Sequence, residues 1–392
     1  MGSDHDAINR RDEIDDQDAI GERKAQHLEI CASADRYTVE GDTTMMQELR
    51  FLHRALPEIN ESQVDLTTTF LDMPVSMPVF ISSMTGGSAE GYRVNKILAQ
   101  VAQHARIPVG MGSIRILYRK PEVIDHFMLK RLAPDVPVFA NIGGVQLIEP
   151  DQHALIELVK RLEVDGLAVH LNPGQELAQP EGDRDFRGVL NGIARLCERS
   201  PVPVIVKETG FGIGPVDARE LLERGVTYVD VAGSGGTNWV TVERYRMDEP
   251  EASIAREFSD WGLPTAVALA ANRQFAGRIL ASGGLRTGLD VAKSIALGAA
   301  SAGLALPFVR AVATDGYDGG VAFAERIRAV LRTAMVLTGS RSVPELQKAP
   351  LLDTPAFRDL VRQVSSTAAP AAETGDPAAA PPSITSGGAG RG

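Results

Sequence analysis

Eight short apolar runs, separated by amphipathic helical stretches, constrain this chain more than any other feature of its sequence. They are Pro78–Met84, Pro108–Gly112, Val138–Ile142, Gly166–Asn172, Val202–Glu208, Tyr228–Ala232, Arg278–Gly284 and Ser301–Leu306. Each is almost continuously apolar, as expected of parallel strands covered on both faces. Stretches with helical periodicity, such as Tyr92–Arg106 and Leu289–Leu297, lie between them. Eight strands with crossovers predict an α/β fold, a closed (β/α)8 TIM barrel, because closure removes edge strands. An open doubly wound sheet is the structural alternative. The segment 23–77 is expected to cap the N-terminal end of the barrel or to pack beside it.

The folded unit is expected over residues 23–365. Residues 1–22 are polar and mostly acidic, and residues 366–392 are Ala, Pro, Ser, Thr and Gly without hydrophobic periodicity. Both are expected to be disordered extensions. The net charge of −11 argues against a general nucleic-acid binder. It leaves room for a local basic site. Cys31 and Cys197 stand far apart and outside any metal-ligand spacing, which points to a reducing compartment. No run approaches the ~20 apolar residues needed to cross a bilayer. A cytoplasmic protein with no membrane or nucleic-acid partner is expected.

In a barrel of this kind the chemistry sits at the C-terminal ends of the strands. In order, those ends read Ser83-Met-Thr-Gly-Gly87, Gly112-Ser-Ile-Arg115, Asn141-Ile-Gly-Gly144, His170-Leu-Asn172, Lys207-Glu208, Asp230-Val-Ala-Gly-Ser-Gly-Gly-Thr237, Ser282-Gly-Gly-Leu-Arg286 and Ala305-Leu306. Polar or glycine-rich residues at nearly every end are hard to explain as packing. The turn Ser282–Gly288 opens a helix, so its glycines and the helix N-terminus predict an anion site. Gly233–Thr237 offers further backbone donors. Lys207 closes an apolar run and needs a partner for its charge. It fits a Schiff-base lysine, a general base or a fixed cation. Glu176 is the carboxylate best placed for Mg²⁺, which commonly uses substrate phosphate as a further ligand. Arg23, Lys24 and His27 form a candidate diphosphate clamp. The charged stretch Pro180–Asp185 is expected to be a loop with internal ion pairs.

Several blocks together resemble one family. They are Arg23-Lys-Ala-Gln-His27, Met84-Thr-Gly-Gly87, Gly112-Ser-Ile-Arg115, His170-Leu-Asn-Pro-Gly-Gln-Glu176, Gln179-Pro-Glu-Gly-Asp-Arg-Asp-Phe186, Val206-Lys-Glu208, Gly235-Gly-Thr-Asn-Trp239 and Ser282-Gly-Gly-Leu-Arg286. Over about residues 23–350 the chain resembles the type 2, FMN-dependent isopentenyl diphosphate isomerases. The resemblance implies an isomerase that interconverts isopentenyl and dimethylallyl diphosphate. It also implies FMN, Mg²⁺, NADPH or NADH as flavin reductant, and a homo-oligomer, tetramer or octamer. By position, flavin contacts would come from Ser83, Met84, Thr85, Ser113, Asn141, Lys207, Ala232 and Thr237. Its phosphate would take Gly284, Leu285, Arg286, Ala305 and Leu306. Substrate would meet Arg23, Lys24, Ser113, Arg115, His170 and Gln175, and Glu176 would hold Mg²⁺. The implied catalytic group is Gln175, Lys207 and His170.

Two positions depart from the family pattern. Ile114 stands where a Gln is common, and Ala232 where a Ser is common. Two other functions remain open on the residues. One is an FMN-dependent 2-hydroxy acid oxidase, which would need a His and an Arg near the late strand ends. The stretch Gly233–Trp239 has neither. The other is a non-catalytic flavin- or phosphate-binding barrel.

Overall fold

Inside the barrel, side chains alternate with the pleat, and that period of two sorts the chain's apolar and polar residues into separate layers. The computed structural model describes residues 23–33, 35–84 and 88–367. The expected strands form one closed barrel: β1 (Val79–Ile81), β2 (Val109–Ser113), β3 (Val138–Gly143), β4 (Gly166–Leu171), β5 (Val204–Glu208), β6 (Tyr228–Asp230), β7 (Ile279–Ala281) and β8 (Ser301–Leu304). Neighbours pair in parallel all the way round, with β8 closing onto β1. Outward residues such as Val79, Ile81, Leu167, Val169, Val204 and Val206 join the large core beneath the helices. Inward residues Phe80, Phe139, Ala168, Ile205 and Leu280 form a separate inner core. Gly110 and Gly303 carry no side chain because the rings of Phe139 and Phe80 occupy that space.

The helices follow from apolar spacing and caps. In Ala89–Ala105 the buried residues Val94, Leu98, Val101, Ala102 and Ala105 mark one face, and Ser88 Oγ caps the Gly91 N–H at 3.0 Å. Gly288–Ala296 begins with a reciprocal capping box between Thr287 and Asp290. The helix Leu306–Thr338 is kinked at Asp315 and Gly316.

The segment before β1 divides its work between both ends of the barrel. A hairpin, Thr68–Phe70 with Met73–Val75, plugs the N-terminal end as expected. Phe70 stacks on Tyr228 at 5.6 Å between centroids and touches the rings of Phe80 and Phe139. Its two-residue turn places Leu71 at φ 49° and Asp72 at φ 61°, a strained choice for residues with side chains. Burial of Leu71 in the inner core offsets that strain. The earlier part, including a helix over residues 23–32, lies instead over the opposite, C-terminal mouth, where Arg23, Lys24 and His27 line the cleft. The strand Leu49–Phe51 pairs antiparallel with Leu351–Asp353 and ties this segment to the C-terminal region. Of the expected extensions 1–22 and 366–392, residues 1–22 and 368–392 lie outside the described residues, while Ser366 ends the helix Pro355–Ser366 and Thr367 caps it. Among the described residues, no helix is long and apolar enough to cross a membrane.

Phe70 should therefore act as the bottom plug of the inner core. Truncating Phe70→Ala is expected to cost about 3–5 kcal/mol in urea unfolding. A loss below about 1 kcal/mol would show that the hairpin does not seal the barrel.

Candidate active site

One turn above the phenylalanines, the same inward positions become polar: Asn141 on β3, His170 on β4, Lys207 on β5, Asp230 at the end of β6 and Ser282 just past β7. Register sets them side by side, with His170 opposite Lys207 and Lys207 opposite Asp230. Hydrogen bonds tie both ends of the row. His170 Nδ1 lies 2.6 Å from Asn141 Oδ1, and Ser282 Oγ donates to Asp230 Oδ1 at 2.7 Å. Lys207 Nζ donates to the backbone carbonyl of Glu208. Burial pulls the Lys207 ammonium below its ordinary range, while Asp230 and Glu208 hold it up. Burial likewise pushes Asp230 up, against the attraction of Lys207. His170 is driven down to about 3 by burial and then by Lys207, Lys24 and Arg115, so the ring is neutral near pH 7.

The mouth above this row is built by three helices that meet on one carboxylate. They are the residues 23–32 helix, Pro173–Ala178 and Trp239–Arg244. Glu243, whose side chain is 1% exposed, lies 2.9 Å from His27 Nε2. It also accepts from Gln175 Nε2 at 3.0 Å, Gln179 Nε2 at 2.5 Å and Arg246 Nη1 at 2.5 Å. Burial alone would raise this carboxyl. The close His27 ring and the bonds from Gln175 and Gln179 outweigh it and bring the carboxyl down to about 2. Asn172 Nδ2 donates to Gln175 Oε1 at 3.1 Å, so both ends of the Gln175 amide are held.

Glu176 is buried, and it accepts from Asn172 Nδ2 and from the Asp183 N–H, each at 3.0 Å. The loop after it is only partly self-paired. Asp185 and Arg187 pair within the loop at 2.5 Å, but Arg184 binds backbone carbonyls of Glu176 and Gln179, and Glu181 reaches across to Arg23 at 2.7 Å. Among the described residues no group of three or more His, Cys, Asp or Glu could hold a metal by itself. A cation at Glu176 would therefore need ligand oxygens to complete its shell.

The far side of the mouth is backbone. The turns after β6 and β7 touch: Gly283, at φ 94°, has no room for a Cβ against the Gly233 carbonyl, nor Gly236 against the Gly284 N–H. Just ahead of the Gly288–Ala296 N-terminus, two backbone N–H groups are satisfied within the chain. Asp290 Oδ2 already takes the N–H groups of Arg286 and Thr287, at 3.0 and 2.9 Å. What faces the cavity is the turn before it, with Gly284, Leu285 and Arg286. The Arg286 guanidinium is held by Glu40, which also takes Arg310 Nη1 at 3.2 Å.

The sequence-selected residues come together in two adjoining cavities. The larger, about 310 Å³, holds Arg23, Lys24, Ser113, Arg115, Asn141, His170, Gln175 and Glu176. The smaller, about 70 Å³, holds Ala232, Thr237, Gly284, Leu285, Arg286, Ala305 and Leu306. Ser83, Met84, Lys207, Thr209 and Trp239 form their common wall. Thr85 lies outside the described residues. Ala232 adopts φ 40°, a left-handed backbone shape uncommon for a residue with a side chain. Ile114, the other departure, is fully buried in the outer core and leaves Ser113 and Arg115 at the cleft.

The site also contains groups not singled out from the sequence. Glu243, Gln146 and Glu40 are the main ones. Glu243 lies four residues beyond Trp239, at the helical spacing that follows the Gly-Gly-Thr-Asn-Trp block, which was its one available signal.

A family model described as FMN-dependent dehydrogenase matches residues 22–118 and 175–353. An isopentenyl-diphosphate delta-isomerase of Borrelia garinii subsp. bavariensis is 44% identical over 330 residues, 84% of this chain and 92% of the relative. One from a Nostoc species is 43% identical over 329 residues, covering 83% and 93%. One from Thermococcus kodakarensis is 39% identical over 361 residues, covering 90% and 96%. Among solved structures, a flavocytochrome b2 variant aligns with TM-score 0.63 at 20% identity, covering 85% of this chain and 84% of that one. A mandelate oxidase variant with a monooxide FMN adduct aligns with TM-score 0.58 at 16% identity, covering 83% and 99%. At these identities the two structures speak for the barrel fold alone.

Glu243 generates a prediction with a definite sign. Its carboxyl is depressed from 4.5 to about 2 in the folded state. The stabilisation is therefore fully present above about pH 4.5 and is lost as pH falls toward 2. Glu243→Gln should destabilise the protein at neutral pH by roughly 3 kcal/mol. The gap to wild type should narrow between about pH 4.5 and 2. A gap independent of pH over that range would mean the charge is not what joins the three helices.

Proposed function

The chain belongs to the isopentenyl-diphosphate delta-isomerases, within the FMN-dependent dehydrogenase family, and on that premise we propose that it interconverts isopentenyl and dimethylallyl diphosphate with reduced FMN and Mg²⁺. One observation carries this reading. A single cleft has a cationic end, made of Arg23, Lys24 and Arg115, and a glycine-lined end, with Lys207 on the wall between them. Lys24 is lowered to about 8 by burial and then by Arg23 and Arg115, as expected of cations crowded together to meet a polyanion.

The residues fit the flavin. Ser83 Oγ is buried without a hydrogen-bond partner among the described residues, on the wall shared by both cavities. Ser83, Met84, Asn141, Lys207 and Thr237 would hold the ring, and Gly284, Leu285, Arg286, Ala305 and Leu306 the phosphate. Thr85, Ser113 and Ala232 belong to the same proposed set. Bound there in reduced form, FMN supplies an electron-rich ring and a nitrogen that exchanges protons beside the alkene. NADPH or NADH would keep it reduced. The fit to a metal is also chemical: Glu176 offers one carboxylate beside cations that gather phosphate oxygens, the arrangement Mg²⁺ accepts.

The reaction moves a double bond by one position with no net redox change. A proton must reach the terminal alkene carbon and another must leave the allylic carbon, through a tertiary cationic centre. The chain's own contribution is to hold and to exclude. Arg23, Lys24, Arg115 and His170 fix the diphosphate, and Ser113 sits where substrate and flavin would meet. That leaves the hydrocarbon end against Gln175. Its amide is pinned by Asn172 and Glu243, so it can orient the tail or relay a proton without rotating. Lys207, buried and flanked by Asp230, would stand beside the flavin on the wall shared by both cavities and, when protonated, would stabilise negative charge there. The proposed working form is a cytoplasmic homo-oligomer, a tetramer or octamer.

A 2-hydroxy acid oxidase reading has weaker support. The oxidase likenesses stop at 20% identity or less among the structures quoted, and the turn Gly233–Trp239 offers no His or Arg to grip a carboxylate. The protein with reductant, without oxygen, should convert isopentenyl diphosphate and leave lactate and glycolate untouched. The reverse pattern would overturn the proposal. An FMN analogue with carbon in place of N5 should still permit substrate binding but abolish turnover. Glu176→Gln should raise the Mg²⁺ concentration needed for half-maximal rate by about tenfold or more. An unchanged titration would remove Glu176 from the metal site.

A further inference from the structure

We propose that Asn141 and His170 form a proton-linked receptor for the diphosphate: Asn141 holds the ring through its Nδ1–H, and the ring takes a proton at Nε2 from bulk water when the diphosphate binds. The inference rests on the reading of the cleft as an alkyl-diphosphate site, and it adds a positioning role for Asn141 to the flavin contact proposed above.

The geometry is a partly buried ring, held at one nitrogen, on a residue that lines the cleft. His170 Nδ1 lies 2.6 Å from the Asn141 side-chain oxygen. A carbonyl oxygen only accepts, so a ring hydrogen sits on Nδ1, and in the neutral ring Nε2 then carries a lone pair. Nε2 faces the space beside Gly143. A Cβ built there would lie 3.3 Å from it, and the Gln146 side-chain oxygen already occupies that space. Gln146 lines the same cleft as His170.

The charges facing the ring come from several elements. Lys207 lies beside it on β5, Lys24 reaches it from the residues 23–32 helix, and Arg115 from the turn after β2. Glu176, on Pro173–Ala178, lines the same cleft. Asn141 and Gln146, from β3 and the turn after it, are neutral. Burial first, and then Lys207, Lys24 and Arg115, keep the ring uncharged, with its titration near 3.

A neutral ring suits a ligand-free cleft and mismatches a filled one. Nε2 would turn a lone pair toward ionised phosphate oxygens, and neither side could donate. The diphosphate's negative charge offsets Lys24, Arg115 and Lys207, which removes the electrostatic bar to an imidazolium. One proton from solvent then forms an Nε2–H bond aimed at a phosphate oxygen. Nδ1–H stays on Asn141, and no electrons move. Affinity is therefore linked to pH. It falls as pH rises through the ring's titration in the complex, by at most about tenfold per pH unit.

The test is calorimetry on the FMN-loaded protein with the flavin oxidised, titrated with isopentenyl diphosphate. Runs in two buffers of different ionisation heat, at about pH 8, keep the ligand's own protonation small. Wild type should take up a fraction of a proton per diphosphate that rises as pH is lowered. His170→Gln should lack that uptake. Asn141→Leu, checked for flavin by its visible spectrum, should keep the ring but take up less. Equal proton exchange in wild type and His170→Gln would overturn the inference. If His170→Gln binds too weakly to measure, uptake unchanged in Asn141→Leu would overturn it instead. A flavin-loaded wild type that does not bind isopentenyl diphosphate at all would overturn the functional proposal as well, which separates the two failures.

Discussion

Three titratable side chains, His170, Lys207 and Asp230, stand on adjacent strands in the upper layer of a barrel sealed from below by phenylalanines, and most of the site depends on how they share that dry space. None could be buried charged and alone without a cost of several kcal/mol. Lys207 and Asp230 face one another across β5 and β6, while His170 gives up its charge and binds Asn141. The result is a lysine under one side of the cleft whose ammonium burial disfavours and Asp230 and Glu208 support. Pleat alternation produces this without special folding instructions. Ile205 and Lys207 are two residues apart, so one joins the inner core and the other the polar layer.

Residues 23–51 connect the two ends of the cleft. Lys24 and His27 stand at the cationic end. Further along, Glu40 holds Arg286 and Arg310 beside the glycine turns, and Gly41 N–H donates to the Gly236 carbonyl at 2.8 Å. The strand Leu49–Phe51 then anchors the segment to Leu351–Asp353. A ligand group at one end therefore meets a wall that is continuous in the chain with the wall at the other. Burial would raise the Glu40 carboxyl, but Arg286 and Arg310 hold it below its usual range, so this junction keeps its charge at neutral pH.

The eight strands were legible because parallel strands buried on both faces must be apolar almost throughout, and because the exceptions fell at their C-terminal ends. The plug hairpin was harder to read. Its turn residues, Leu71 and Asp72, have none of the usual glycine or asparagine signature, and only the inner core they reach explains the choice. The division of the early segment between both barrel ends was invisible for a similar reason, since contacts such as Glu40 with Arg310 span 270 positions. Motif blocks brought His170, Gln175, Glu176 and Lys207 into view as a set. They did not reveal Glu243, whose partners Gln175 and Gln179 lie 68 and 64 positions away. A carboxylate that organises three helices has no local pattern; it is recognisable only once the helices are assembled.

In the proposed complex one cleft binds a flavin phosphate at its glycine-lined end and a substrate diphosphate at its cationic end, with the reacting carbons between them at Lys207 and Gln175. A crystal structure with FMN, Mg²⁺ and isopentenyl diphosphate measures this directly. One phosphate is expected against Gly284, Leu285 and Arg286, and the diphosphate among Arg23, Lys24, Arg115 and His170 with the metal on Glu176. A diphosphate seated in the glycine turns, or a flavin ring lying outside the wall formed by Ser83, Met84 and Lys207, would contradict it.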